Sequence, residues 1–380
     1  MRSGRLPRNV VLLGVVSLLA DVASDMVVPL LPAFLVMLGA GASFLGIVEG
    51  VAEAVAALLK YVSGRWADRS RRLLPLAALG YGLAAVVRPF LAFATAPWQV
   101  LALRAADRVG KGIRTSPRDK LLAGSAPPER LAEAFSFHRG MDHLGAAIGP
   151  LVAAALLLAW PQDLRRVFLF AALPGVLALL ALLLVREQDP SPAAPTTVVR
   201  AAAVPPRLLA AIGLFTLGNS TDALLLLRAQ GLGVPTAQLP LLWATLHVSR
   251  SSSSWPLGRA ADRLGRKRAL VAGWVWYAVC YAGFALARAP LQLWILFAGY
   301  GLVAGLTEGS ERALIAAAAG AERRGTALGV YNLVSGAGLL AASVLAGLLW
   351  DHVSPQAALA TGAALALAAA GLLTAWRAPA

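Results

Sequence analysis

Two short charged stretches, GRWADRSRR at Gly64–Arg72 and GRAADRLGRKR at Gly258–Arg268, decide how the rest of the chain is read. Each interrupts a sequence that is otherwise strongly apolar: hydrophobic residues fill 58% of 380 positions and charged residues 14%. An ordinary soluble domain carries about a quarter of its residues as charges. The apolar residues gather into runs such as VFLFAALPGVLALLALLLV (Val167–Val185) and ALATGAALALAAAGLLTAW (Ala358–Trp376). Each run has roughly the 20 residues that a helix needs to cross a hydrocarbon layer ~30 Å thick. The opening run after Arg8 is too long, and followed by too many similar runs, to be a cleaved signal peptide. The chain therefore reads as an all-α polytopic membrane protein.

Pro/Gly breaks and charge clusters separate twelve expected spans: 9–38, 43–63, 73–94, 97–122, 130–158, 165–185, 207–229, 236–257, 269–287, 291–316, 324–350 and 355–376. The two charged stretches fall after the second and the eighth. Basic residues recur on alternate joints: Arg2, Arg5 and Arg8; Arg65, Arg69, Arg71 and Arg72; Lys120 and Arg130; Arg186, Arg200 and Arg207; the cluster Arg259–Arg268; Arg323 and Arg324; and Arg377. The intervening joints carry little beyond Arg165, Arg166 and Arg288. This alternation is the positive-inside pattern and places both termini in the cytoplasm of a multi-pass protein of the cell (inner) membrane. The net charge of +15 is thus an orientation signal, and no nucleic-acid partner is expected. One cysteine, Cys280, and four scattered histidines exclude an intrachain disulfide and a cysteine-rich metal site, and no metal or cofactor is expected.

The chain also repeats itself. Glu129–Arg130 matches Glu322–Arg323, and at the same offset AFSFHRGMDHLGA (Ala134–Ala146) lies over ALGVYNLVSGAGL (Ala327–Leu339). The Pro-, Ala- and Thr-rich segment Arg186–Arg207 lies between the copies. The expected organisation is an N-terminal six-helix bundle (1–185), a cytoplasmic linker (186–206) and a C-terminal six-helix bundle (207–380). Two such pseudo-symmetric bundles are the build of a parallel-repeat transporter.

On these features the sequence resembles the major facilitator superfamily over nearly its whole length. The loop pattern G-x-x-x-D-R-x-G-R-[KR] is matched by Gly258, Asp262, Arg263, Gly265, Arg266 and Lys267. Gly64, Asp68, Arg69 and Arg72 match the first copy, where Arg71 replaces the second glycine. The segment GAAIGPLVAA (Gly145–Ala154), with Gly145, Gly149 and Pro150, is similar to the superfamily's antiporter signature, although Ala153 and Ala154 replace its closing glycines. The resemblance implies a charge latch at the cytoplasmic face that opens during transport. In physical terms, Asp68 could accept from exposed amides at a helix N-terminus. Arg69 and Arg72 could pair with a carboxylate such as Asp119. The bland alternative is that these arginines only set topology.

The densest charged stretch, DRVGKGIRTSPRDK (Asp107–Lys120), lies inside an expected span. It has no phosphate-loop pattern. In helical register Arg104, Asp107/Arg108, Lys111, Arg114 and Arg118 form one stripe. A cation facing lipid at mid-bilayer is costly, so the stripe must face acids or a wet cavity. Candidate partners come at helical spacing: Asp21 and Asp25, Glu49 and Glu53, and His138 and Asp142. The C-terminal half offers fewer such groups, among them Asp222, Arg250, Glu308, Glu311 and Arg312.

These groups suit a proton relay in which a buried carboxylate gains and loses a proton as a neighbouring arginine moves. They equally suit static ion pairs that join helices. Trp98, Trp160, Trp274, Trp276, Trp294 and Trp350 read as interface anchors, and Trp243 and Tyr331 as deeper residues. Ser249–Ser254 is either a polar patch on a helix or a frayed end. The expected function is secondary transport of a small-molecule substrate by alternating access, coupled to protons and directed outward, by a monomer in the lipid bilayer. A non-transporting membrane sensor and a uniporter are the alternatives. No nucleophile–base set supports an enzyme.

Overall fold

A computed structural model describes residues 6–70, 72–127, 131–187, 205–319 and 324–376. Most of the expected linker, 188–204, lies outside the described residues. Among them there are helices and no strands. The helices are α1 (Arg8–Asp25), α2 (Leu31–Met37), α3 (Ala42–Arg69), α4 (Leu74–Phe90), α5 (Pro97–Gly124), α6 (Leu131–Ala159), α7 (Leu164–Phe170) and α8 (Ala172–Leu183). They continue with α9 (Pro206–Gly218), α10 (Ala223–Gly231), α11 (Leu239–Leu264), α12 (Arg266–Leu286), α13 (Pro290–Ala319), α14 (Arg324–His352) and α15 (Pro355–Ala375).

Ten stretches of the described chain are long and apolar enough to cross a membrane. α5 and α11 are not among them, although they run for 28 and 26 residues. α5 carries the charged stripe and α11 the serine run, and both lower its hydropathy. Three expected spans are interrupted. Between α1 and α2 the chain passes through a 3-10 turn, Val28–Leu30, that contains Pro29. α7 gives way to α8 just before Pro174, which lacks the N–H that would bond to the carbonyl of Phe170. α9 ends at Gly218, and Asn219 leaves the helical region at φ −92°, ψ 75°.

Helix ends are satisfied by nearby side chains. Gln99 accepts from the amides of Thr95 (2.6 Å) and Ala96 (3.2 Å) at the start of α5. Ser354 accepts from Ala357 at 3.0 Å beside Pro355, the first residue of α15. Arg228 donates to the carbonyls of Phe284, Ala285 and Ala287 at the end of α12, where the helix dipole favours a cation.

By packing, the chain divides into Met1–Leu31 with Val55–Thr196, and Pro32–Ala54 with Thr197–Ala380. In the first unit α1 lies close against α6. A Cβ on Gly145 would stand 2.5 Å from the Leu18 carbonyl oxygen, and one on Gly149 would stand 2.6 Å from that of Val22. These two signature glycines therefore act as a contact surface for α1. In the second unit the N-terminus of α3 is capped by Asp351 of α14, which accepts from Ala42 (2.9 Å) and Ser43 (2.7 Å). Gly265, at φ +91°, is the one residue between α11 and α12.

Gly149→Leu should push α1 off α6. Overpacking of this kind costs roughly 1–3 kcal/mol, so the purified protein in detergent should melt at a lower temperature. An unchanged melting temperature would show that the two helices are free to separate.

Candidate functional site

The interruptions in the first and seventh expected spans fall at equivalent places. At the offset that lays Glu129 over Glu322, the last residue of α1, Asp25, lies over the last residue of α9, Gly218. A carboxylate stands at each break: Asp25 ends α1, and Asp222 immediately precedes α10. Broken helices in an apolar layer expose backbone groups that must find partners. In the second unit Tyr277 donates its hydroxyl to the Gly218 carbonyl at 2.9 Å, and the amide of Thr221 donates to Ser343 Oγ at 3.2 Å. Asp222 accepts from Arg250 at 2.7 Å and from the Tyr300 hydroxyl at 2.8 Å. The Arg250 guanidinium also lies over the Tyr300 ring, 5.6 Å from its centre.

The stripe on α5 is turned into the first unit. Arg104, Asp107, Arg108, Arg114 and Arg118 are all buried, and Lys111 is half-buried. Asp107 is held between Arg88 of α4 (2.8 Å) and Arg104 (3.4 Å), with both side chains and its own nearly inaccessible. Arg88 also donates to the Ala20 carbonyl of α1 at 3.0 Å, so three helices meet there. Arg114 lies 4.5 Å from the centre of the Tyr81 ring, a cation–π contact strengthened by burial. Arg118 pairs with Asp119 at 2.8 Å and reaches Ser17 of α1 at 3.4 Å. Ser17 donates to Asp142, which also faces His138 and Arg139, each at 3.6 Å. His138 is buried, with no hydrogen-bond partner on Nε2, whereas Arg139 is largely exposed.

Of the other candidates, Asp21, Asp25 and Glu53 are half-buried and Glu49 is buried, while Glu308 is exposed. Asp119 accepts from its neighbour Arg118. Arg72, Arg263 and Arg266 are exposed, and the side chains of Asp68, Arg69 and Asp262 lie outside the described residues. Gly64 lies within α3 and Gly258 within α11. The loop cations that make defined contacts hold helix ends: Lys120 donates to the Ala67 carbonyl (2.8 Å), and Lys267 to those of Thr374 (3.0 Å) and Trp376.

Two expectations need correction. Trp274 is no interface anchor: it is fully buried, stacks on Phe215 at 4.8 Å and donates to Glu311. The aromatic mass of the second unit draws it inward, since Tyr277 packs against Phe215 and Tyr281 against Tyr277. Ser249–Ser254 is not a frayed end. It is helical, with Ser253 and Ser254 donating back to the Arg250 carbonyl.

Arg88, Ser17 and Tyr81 were missed by sequence reasoning. Arg88 had a signal, being a lone cation between apolar residues of an expected span, where an ionisable group implies a partner. Ser17 and Tyr81 had none, because their role depends on which faces meet.

The Major Facilitator Superfamily model matches residues 13–249 and 208–380, and the chain belongs to this family. An uncharacterized MFS-type transporter of Methanocaldococcus jannaschii is 31% identical over 97% of this chain and 94% of its own length. The multidrug resistance protein MdtG of Enterobacter lignolyticus is 27% identical over 76% of this chain and 73% of its own. Among solved structures, a point variant of the nucleoside transporter NupG superposes with a TM-score of 0.82 at 14% identity, covering 97% of this chain and 99% of that one. The family and these neighbours are transporters, not enzymes.

Asp107→Asn should remove the carboxylate that lies against the buried Arg88 and Arg104. Removing one partner of a buried pair costs about 3–5 kcal/mol, so the variant should lose most of its folded yield or melt far lower. Arg139→Ala, at an exposed side chain, should move stability by no more than about 0.5 kcal/mol. Equal melting temperatures for the two variants would mean that the Asp107 cluster does not hold the unit together.

Proposed function

We propose that the protein is a proton-coupled exporter of a small solute, working by alternating access. Twelve spans lie in the cell membrane of a monomer, with both termini cytoplasmic and the halves 1–185 and 207–380 joined by the linker 186–206. The observation that carries this reading is the pair of equivalent helix breaks, each with a carboxylate at its edge, Asp25 and Asp222. In transporters built from repeats, interrupted helices at corresponding positions mark the substrate and coupling-ion site.

Asp142 is the carboxylate best suited to carry the coupling proton in the N-terminal half. It faces a hydroxyl (Ser17), an imidazole (His138) and an exposed guanidinium (Arg139). Two of these neighbours can adjust when the carboxylate gains a proton: the hydroxyl reorients, and the exposed Arg139 withdraws to water. Asp107 is instead a fixed anchor, because it is clamped between two buried guanidinium groups. The outward direction is supported by the G-x-x-x-G-P segment at Gly145–Pro150 and by the likeness to a multidrug resistance protein.

The test uses purified protein in liposomes that enclose a pH-sensitive dye, challenged with a panel of lipophilic drugs and metabolites under an imposed pH gradient. Substrate movement should be accompanied by proton flux in the opposite direction and should stop when the gradient is dissipated. Asp142→Asn and Arg108→Ala should each reduce coupled flux at least tenfold while membrane insertion is retained. Substrate flux indifferent to the proton gradient would end the coupled reading.

A further inference from the structure

At the offset that aligns the halves, Arg118 of α5 lies over Glu311 of α13, Tyr81 over Trp274, and His138 over Tyr331. The same three-helix node therefore exists in both units, with a cation at its centre in one and a carboxylate in the other. In the first unit the centre is ion-paired, Arg118 to Asp119. In the second, Glu311 is 8% exposed and accepts from the Tyr331 hydroxyl at 2.6 Å and the Trp274 indole N–H at 3.2 Å. Both partners are neutral. The charged groups on its own helix are Glu308 and Arg312, both exposed, and both act on it electrostatically. Among the described side chains, α12 contributes the Trp274 indole and α14 the Tyr331 hydroxyl. α11 turns Ser249, Ser253 and Leu257 toward α13, and its Arg250 is committed to Asp222.

We infer that Glu311 is a proton-binding site in the C-terminal half, one that switches between two fully hydrogen-bonded states. When ionised, the carboxylate accepts from both partners, as the geometry stands. When protonated, it must donate its own O–H. Trp274 cannot receive it, because an indole N–H only donates; Tyr331 can, because a phenol both donates and accepts. The Tyr331 hydroxyl is then free to turn its hydrogen toward Ser335, one turn along α14. The proton thus enters without leaving any group of the node unpartnered. A buried carboxylate whose two hydrogen-bond partners are both neutral is arranged to accept the change. The first unit's node lacks this freedom, since a guanidinium does not titrate.

This inference rests on the proton-coupled reading, and its test does not depend on transport. Infrared difference spectra of the purified protein between acid and alkaline pH should show a carboxylic-acid C=O band that shifts in heavy water. Glu311→Gln mimics the neutral acid and should fold; it should lack that band. Tyr331→Phe removes the acceptor and should shift the band to higher frequency. A band unchanged in Glu311→Gln and in Tyr331→Phe would overturn the assignment, even if the liposomes show proton-coupled flux. Loss of the band in Glu311→Gln, beside wild-type liposomes that move solute with no proton flux, would uphold the site and reject the coupling.

Discussion

Hydrocarbon offers no water to a charge, and the described structure is organised around that constraint. Asp107 illustrates it: a carboxylate buried in the first unit is held by Arg88 and Arg104, and Arg88 reaches on to the Ala20 carbonyl. One acid thereby ties α4 and α5 to each other and, through Arg88, to α1. Breaking any member exposes the others to a desolvation cost far above that of a lost surface contact. The same constraint governs the interrupted helices. Where α9 ends at Gly218, the freed backbone groups are met by Tyr277 and Ser343, and Asp222 by Arg250 and Tyr300.

The two units solve this problem with different chemistry. At the offset relating the halves, Arg88, Arg104 and Asp107 lie over Tyr281, Phe297 and Tyr300. An ionic cluster in one unit is thus an aromatic cluster in the other, where Tyr277, Tyr281, Phe284, Phe297 and Tyr300 pack ring against ring. Backbone geometry is shared more closely than chemistry. Gly80 lies over Gly273, and each glycine faces the same partner position, Arg114 in one unit and Thr307 in the other.

Much of the fold was legible in the sequence, because it follows from apolar run length and from the repeat. The inward turn of the α5 stripe was legible for the same reason: a row of guanidinium groups has nowhere else to go in a greasy chain. The breaks were less so. Pro29 and Pro174 were visible, but a proline in a long apolar run kinks a helix as readily as it ends one. Trp274 was misread because tryptophan near a span end usually seeks the interface, and only the stacked Phe215 and the Glu311 carboxylate reveal what holds it inside. Glu311 itself was visible as an acid, but its pairing with an indole and a phenol is a property of three packed helices and of no single stretch of sequence.

Gly265 carries a mechanical consequence. With one residue between α11 and α12, there is no slack for either helix to slide along its axis or to twist alone. A pull on the serine-lined helix is delivered directly to the helix that bears Trp274, Tyr277 and Tyr281. The joint is a short elbow in place of a long tether, so the near ends of the two helices stay together whatever angle they take.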